Sequence, residues 1–228
     1  MAEAARKRLT IAVDGPASSG KGTVARAVAR VLEYQYIDTG AMYRAVALVA
    51  RERHVSWDDE EAVAEVASGL RFGFSFDGES LRVVVDGRDV TEAIREEHIG
   101  RGASDVSRHP AVRSALLGLQ RALARQGGVV MDGRDIGTVV LPEADLKVYL
   151  DAEVTERARR RHAELREKGE AAGFGEVLEA MSARDRQDMQ RPVAPLCQAE
   201  DAVYLDSTDL TIAQGVDAVL ALARARGA

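Results

Sequence analysis

The stretch Leu-Thr-Ile-Ala-Val-Asp-Gly-Pro-Ala-Ser-Ser-Gly-Lys-Gly-Thr, residues 9 to 23, does most to limit what this chain can fold into. Its apolar start (Leu9, Ile11, Ala12, Val13) reads as a strand buried on both faces, the pattern of a parallel sheet. The run stops at Asp14. Gly15, Pro16, Ala17, Ser18, Ser19, Gly20 and Lys21 then follow with the spacing of a phosphate-binding loop. Gly15 and Gly20 lack a Cβ, so the backbone can turn tightly and aim several N–H groups inward. Those donors, together with the positive end of a helix starting near Lys21, would cradle polyphosphate oxygens. Lys21 adds a point charge near the β- and γ-phosphates. An ordinary glycine-rich turn is the alternative, but the strand before and the amphipathic stretch after (Val24, Val28, Val31, Leu32) favour the phosphate loop.

One position departs from the general pattern, which places Ser or Thr straight after the Lys. Here Gly22 stands there and Thr23 comes next. The Gly-Lys-Gly-Thr variant resembles that of nucleoside monophosphate kinases, a likeness that implies a Thr23 hydroxyl reaching a magnesium shell.

With 228 residues the chain can bury one large or two small cores. A net charge of −6 argues against a general nucleic-acid binder, which needs a basic surface. It leaves room for a local arginine cluster around one small phosphorylated ligand. The single cysteine, Cys197, excludes an intrachain disulfide, fits a reducing compartment and reads as a small packing residue. No apolar stretch approaches the ~20 residues of a membrane span. The start, Met-Ala-Glu-Ala-Ala-Arg-Lys-Arg, has no signal-peptide core behind it. A cytoplasmic protein without a membrane partner is expected.

Along the chain, Tyr36-Ile37 reads as a second strand, and Asp38 or Thr39 as the cap of a helix from about Ala41 to Arg53. Strand, helix, strand, helix in so short a span means a right-handed parallel arrangement, whose ligands sit at the strands' carboxyl ends. Ser56-Trp57-Asp58-Asp59 should open another helix in capping-box fashion, reaching about Ser68. The pattern then changes. Phe72, Phe74 and Phe76 alternate, as do Leu81, Val83 and Val85, with Asp77-Gly78 and Asp86-Gly87 as turns, which predicts a small antiparallel sheet over about 70–92. A charged helix over Glu92–Glu97 and a looser segment to His109 should close this insert. A long helix from Pro110, ended by Gly127-Gly128, leads to a third parallel strand, Val129–Met131. Leu146–Leu150 is the fourth strand and Val203–Leu205 the fifth. Helices are expected over about Val154–Lys168, Glu176–Met189 and from Ile212 onward.

Phosphoryl transfer needs two substrates in line and their charge neutralised, so a small-molecule kinase needs a donor site, an acceptor site and closing cations. Thr39, Tyr43 and Arg44, at and just inside a helix start, suit an acceptor phosphate. A capped helix with a solvated Arg44 is the plainer alternative. Asp132 ends an apolar strand where a magnesium-shell carboxylate belongs. Asp135, three residues on, could accept a hydrogen bond from an amino group of a base. Arg157, Arg160 and Arg161 share a helix face and could clamp a triphosphate, though alone they read as a solvated face paired with Glu153, Glu156 and Glu164. The same plain reading fits Arg184, Asp185, Asp188 and Arg191.

Taken together, residues 15–23, Asp38-Thr39-Gly40-Ala41-Met42-Tyr43-Arg44, Asp132-Gly133-Arg134-Asp135-Ile136-Gly137-Thr138-Val139-Val140, Pro192-Val193-Ala194-Pro195-Leu196 and Asp206-Ser207-Thr208 resemble bacterial cytidylate kinases. The likeness runs over nearly the whole chain. It implies an α/β P-loop NTPase fold: a five-stranded parallel sheet flanked by helices, with an antiparallel β-containing monophosphate-binding insert and a short helical lid. A single kinase domain would span 1–228, with the core at 1–66 and 106–228, the insert at 67–105 and the lid at 154–172. The implied activity is ATP-dependent phosphorylation of CMP and dCMP, with Mg2+. Thr39, Tyr43, Arg44, Arg134 and Arg184 would hold the acceptor phosphate. Ser104, Arg113 and Asp135 would surround the cytosine, and Asp188 and Arg191 would serve the ribose. Lys21, Asp132, Arg157, Arg160 and Arg161 would act on the transferring group. Residues 15–23, Arg157, Ser207 and Thr208 would bind ATP, and Thr23 and Asp132 the magnesium. A monomer is expected. A kinase of another monophosphate or small alcohol is the nearest alternative, and a silent nucleotide-binding module is a further one, weakened by the intact Lys21 and strand-end carboxylates. A GTP switch would need an Asn-Lys-x-Asp sequence, which is missing.

Overall fold

The computed structural model describes residues 8–77 and 80–228. The amino-terminal stretch Met1 to Lys7 lies outside them, as does the tip of the hairpin expected at Asp77-Gly78. The chain divides into two compact units, one running up to Tyr36 and resuming at Ala124, the other Ile37–Leu123. The expected insert, 67–105, falls within the second.

Strand β1 (Thr10–Asp14) is buried from Ile11 onward, as its unbroken apolar run requires. Helix α1 (Lys21–Leu32) starts directly after Gly20, whose φ of 90° only glycine adopts without strain. Its apolar face carries Val24, Ala25, Val28 and Ala29, and Glu33 in the left-handed region ends it. Strand β2 (Gln35–Asp38) follows.

In the second unit, helix α2 (Thr39–Glu52) is capped by Asp38, which accepts the Ala41 N–H at 2.9 Å. Helix α3 (Glu60–Gly69) begins later than expected. Its cap is Asp59, accepting from Ala62 N–H, while Ser56 takes the Asp58 N–H in the preceding turn. Either side chain could cap; the one adjoining the apolar run does so. Strands β3 (Phe72–Asp77), β4 (Ser80–Val85) and β5 (Arg88–Asp89) form the antiparallel sheet, with Phe72 opposite Val85 and Val85 opposite Arg88. Positive φ at both Asp86 (51°) and Gly87 (83°) gives the turn whose twist matches a hairpin.

The segment expected to be loose is a helix. A short 3-10 turn, Ala93–Arg95, leads into α4 (Glu97–Ser107), so the helix expected over Glu92–Glu97 is displaced along the chain. Gly100 and Gly102 made it look loose. Packing overrides that propensity, because Ile99, Ala103 and Val106 bury one face, against α2. Gly102 serves close approach: a Cβ there would lie 2.5 Å from the Trp57 ring. Trp57 in turn donates its indole N–H to Ala47 O at 3.0 Å. Helix α5 (Pro110–Ala124) has proline in its first turn, as expected.

Back in the first unit, β6 (Val129–Gly133) is wholly buried and ends in one wide π-type turn, Ile136–Val140. Strand β7 (Leu146–Asp151), helices α6 (Val154–Glu167) and α7 (Phe174–Gln190), strand β8 (Val203–Asp206) and helix α8 (Ile212–Arg224) complete the chain. The five-stranded parallel sheet runs β2-β6-β1-β7-β8, as expected. Strand β1 lies between β6 and β7, with Asp14 opposite Gly133 and Tyr149. Helix α1 packs on α8, and α6 on α7 through Ala158, Leu165, Val177 and Met181.

Gly15 marks where this packing is tightest. Its φ is 153° and a Cβ would sit 2.0 Å from Leu150 O, inside atomic contact with the neighbouring strand's backbone. Gly15→Ala should therefore cost about 1–3 kcal/mol or more in strain and overpacking. A urea midpoint unchanged at constant m-value would refute this.

Candidate active site

The phosphate loop between β1 and α1 is held by cations on its carbonyl oxygens. Lys21 Nζ, buried, donates to Pro16 O at 2.9 Å. Arg157 Nη1 reaches Ala17 O at 3.3 Å, and Arg160 Nη1 reaches Ser19 O at 3.4 Å. The oxygens that would repel a phosphate are thereby neutralised. Ser19 Oγ is buried and finds no hydrogen-bond partner among the described residues, which leaves a hydroxyl for an anion.

Arg157, Arg160 and Arg161 each have different partners in this structure. Arg157 is only 4% exposed; its Nε donates to Ala152 O and its Nη2 to Asp185 at 2.6 Å. It is a buried strut between α6, α7 and the loop. Arg160 is half-buried, pairs with Glu156 at 3.1 Å, and donates to Ser207 O at 2.6 Å and Thr208 O at 3.2 Å. Ser207 Oγ lies 2.9 Å from both Ser19 O and Asp151 O, so the loop after β8 is stitched to the phosphate loop. Arg161 pairs with Glu164 at 2.7 Å, the solvated pairing its spacing suggested. Asp185 supplies the carboxylate that balances the buried Arg157 guanidinium. Its partner lies 28 residues away, beyond any helical spacing rule.

At the end of β6 five expected substrate residues gather. Arg134 Nε donates to Asp188 Oδ2 at 2.9 Å, and Arg191 Nη2 lies 3.4 Å from Asp135 Oδ1. Burial alone would raise the Asp188 pKa, but Arg134, then Arg184 and Arg191, overcome it and hold the carboxyl below its usual range. Burial likewise opposes the charge on Arg134, yet Asp188, with Asp132 and Asp185 behind it, more than offsets this and the guanidinium pKa rises. The plain solvated-face reading of Asp185, Asp188 and Arg191 is thus wrong: all three are buried. Cys197, expected to pack, is exposed.

Two residues without an assigned role on sequence grounds shape this end of the sheet. Asp14 accepts the N–H groups of Ile136 at 2.8 Å and Gly137 at 2.7 Å, fixing the wide turn. Burial pushes its carboxyl up to about 7, against those two hydrogen bonds, which act to lower it. Its only sequence signal is a carboxylate at a strand end. Tyr36, buried, donates its hydroxyl to Asp132 Oδ1 at 2.7 Å, and nothing in the sequence marks it.

The second unit carries its own set. Thr39 is buried at the start of α2, and Arg44 pairs with Asp38 at 2.7 Å. Arg113 lies over the Tyr43 ring at 5.5 Å and donates to Ser107 O at 3.3 Å. Ser104 is buried one turn before Ser107, whose hydroxyl donates to the Ser104 carbonyl oxygen at 3.0 Å.

Asp132 and Thr23 offer oxygen donors only, and no group of three or more His, Cys, Asp or Glu among the described residues could hold a metal ion. That chemistry fits magnesium, which keeps several waters and shares a nucleotide's phosphates with one or two protein oxygens. No helix among the described residues is long and apolar enough to cross a membrane.

Residues 11–225 match the cytidylate kinase family model. The cytidylate kinase of Desulfitobacterium hafniense is 49% identical over 217 residues, covering 95% of this chain and 93% of that protein. The cytidylate kinase of Chromobacterium violaceum is 50% identical over 210 residues, covering 92% and 93%. A crystal structure of an uncharacterized protein from Eubacterium ventriosum superposes with a TM-score of 0.50 at 9% identity, over 94% of this chain and 97% of that one, a likeness of fold alone. The family model spans the phosphate loop, the charge cluster after β6 and the loop after β8, and with these relatives it shows that the chain belongs to the cytidylate kinase family.

Proposed function

We propose that this protein transfers the γ-phosphoryl group of ATP to CMP and dCMP, giving CDP and dCDP, as a cytoplasmic monomer acting on free nucleotides and not on nucleic acid. The observation that carries this reading is the buried cluster of Arg134, Asp135, Asp188 and Arg191 beside the strand that ends in the phosphate loop. Buried charges are costly unless they serve one another or a ligand. Here they supply guanidinium forks for a phosphate and carboxylates for hydroxyl and amino donors. The relatives' name gives the substrate that fits this chemistry.

In this reading the loop 15–23 and Lys21 bind the donor's phosphates. Thr39, Tyr43, Arg44, Arg134 and Arg184 are the residues assigned to the acceptor's phosphate. Ser104, Arg113 and Asp135 take the base, and Asp188 and Arg191 the sugar. Residues 67–105 serve as the monophosphate-binding insert and 154–172 as the lid. Thr23 and Asp132 hold the magnesium. When bound, that ion neutralises charge on the donor's phosphates. Positioning and electrostatics then supply the catalysis, with Lys21 stabilising charge that develops on the transferring group.

A coupled assay with ATP, magnesium and a panel of monophosphates tests the reaction: CMP and dCMP should turn over fastest. Lys21→Ala should keep the fold and lose at least about 100-fold in kcat, the scale of removing one preorganised donor. Near-normal turnover by that variant would remove the loop assignment.

Arg160 binds the carbonyls that join the phosphate loop to Ser207 and Thr208, so its loss should loosen the donor site. Arg160→Ala should raise KM for ATP roughly tenfold, the scale of a charged hydrogen bond, and leave CMP affinity within about twofold. A drop confined to kcat would instead put Arg160 on the transferring phosphoryl group.

Asp135 is proposed to read the base. An ionised carboxylate accepts only, so it suits the exocyclic amine of cytosine and repels the carbonyl that uracil presents. Asp135→Asn should weaken CMP use and narrow the CMP-to-UMP ratio of kcat/KM by roughly 5- to 150-fold, or about 1–3 kcal/mol. An equal fall for both substrates would show that Asp135 acts elsewhere.

A further inference from the structure

Gly22, Tyr36 and Asp132 form a group that the phosphate-loop pattern by itself does not predict. The usual Ser or Thr after the loop lysine is missing, and its place is taken up. A Cβ on Gly22 would lie 3.3 Å from the Tyr36 hydroxyl oxygen and 3.7 Å from Asp132 Oδ2. The first distance is tighter than ordinary contact, so a side chain at 22 would press on the phenol by a few tenths of an ångström. The hydroxyl donates to the other carboxylate oxygen, Asp132 Oδ1, at 2.7 Å. Tyr36 is 3% exposed and Asp132 6%. The Arg26 guanidinium lies over the Tyr36 ring at 5.8 Å, which fixes the ring's face.

We infer that Tyr36 is a positioning residue for Asp132, its phenol reaching the carboxylate from β2 and fixing how it faces the loop. The inference rests on the proposed role of Asp132 toward magnesium. A carboxylate has two oxygens and rotates about one bond; a short O–H···O bond to Oδ1 stops that rotation. Oδ2 is thereby held on the Gly22 side, facing the first turn of α1. A group that orients a metal ligand in this way is typically worth about 10- to 100-fold in metal affinity. Tyrosine at 36 and glycine at 22 are therefore linked: a side chain at 22 crowds the phenol, and a phenylalanine at 36 removes its hydrogen bond to Oδ1.

The test is Mn2+ binding, by electron paramagnetic resonance, to the full chain with a non-hydrolysable ATP analogue. Thermal unfolding of each variant is followed alongside. Tyr36→Phe should weaken Mn2+ about 10- to 100-fold. Gly22→Ser alone should also weaken it, because the new Cβ crowds the phenol. The double variant Gly22→Ser with Tyr36→Phe should bind more tightly than either single variant, since a serine hydroxyl then enters the vacated space beside Asp132. That recovery is something a merely structural tyrosine would not produce. Asp132→Asn separates the two ideas. If it abolishes Mn2+ binding while Tyr36→Phe leaves it unchanged, the positioning role is overturned and the Asp132 assignment stands. If Asp132→Asn has no effect, both fall. If Tyr36→Phe unfolds, the comparison of Gly22→Ser with the double variant decides: a double variant no tighter than Gly22→Ser overturns the proposal.

Discussion

The buried Asp14 carboxyl at the end of β1 is the contact on which the catalytic end of the sheet depends. It takes two backbone N–H groups, from Ile136 and Gly137, that the wide turn after β6 would otherwise leave unpaired. Unpaired buried N–H groups cost about 1–3 kcal/mol each, so the turn has one satisfactory position relative to β1. Gly137 makes the approach possible, since a Cβ there would come within 3.1 Å of the Lys147 stem and 3.4 Å of Asp14 itself. Arg134 and Asp135 leave β6 immediately before this turn. Their direction is therefore set by a residue to which no substrate contact has been assigned.

The remaining charges are organised by the same rule, that an ion removed from water must find a partner. Arg157 is satisfied by Asp185 and two carbonyls, Arg134 by Asp188, and Arg191 by Ala194 O at 2.6 Å as well as Asp135. Asp185, Asp188 and Arg191 come from one end of α7, so a single helix supplies counter-ions to α6, to β6 and to its own exit. Pairs of this kind contribute little net stability, because desolvation consumes most of the attraction. What they supply is orientation, which is also what phosphoryl transfer asks of a protein.

Much of this was legible in the sequence because it rests on local pattern. The five apolar strands, the loop spacing and the Asp86-Gly87 turn follow from periodicity and from the φ angles that glycine permits. The start of α3 and the whole of α4 were misplaced for a common reason. Asp59 prevails over Ser56, and Glu97–Ser107 coils despite Gly100 and Gly102, through neighbours supplied by the fold, not by the segment. In the candidate site, residues on recognised motifs could be named, but their partners could not. Arg157 was read against Glu153, Glu156 and Glu164 because those lie within helical reach, while its actual partner is on another helix. Tyr36 gave no signal at all. An aromatic residue in a buried strand looks like core until its hydroxyl is seen on a carboxylate.

Trp57, the only tryptophan in the chain, sits half-buried in the second unit, with Ala47 O on its indole N–H and Gly102 against its ring. Intrinsic fluorescence excited at the red edge therefore reports on the helical packing of Ile37–Leu123 and on nothing in the sheet. Far-ultraviolet circular dichroism sums over both units. Denaturation followed by the two probes in one sample asks whether the halves of this enzyme melt together or in turn, with no label attached.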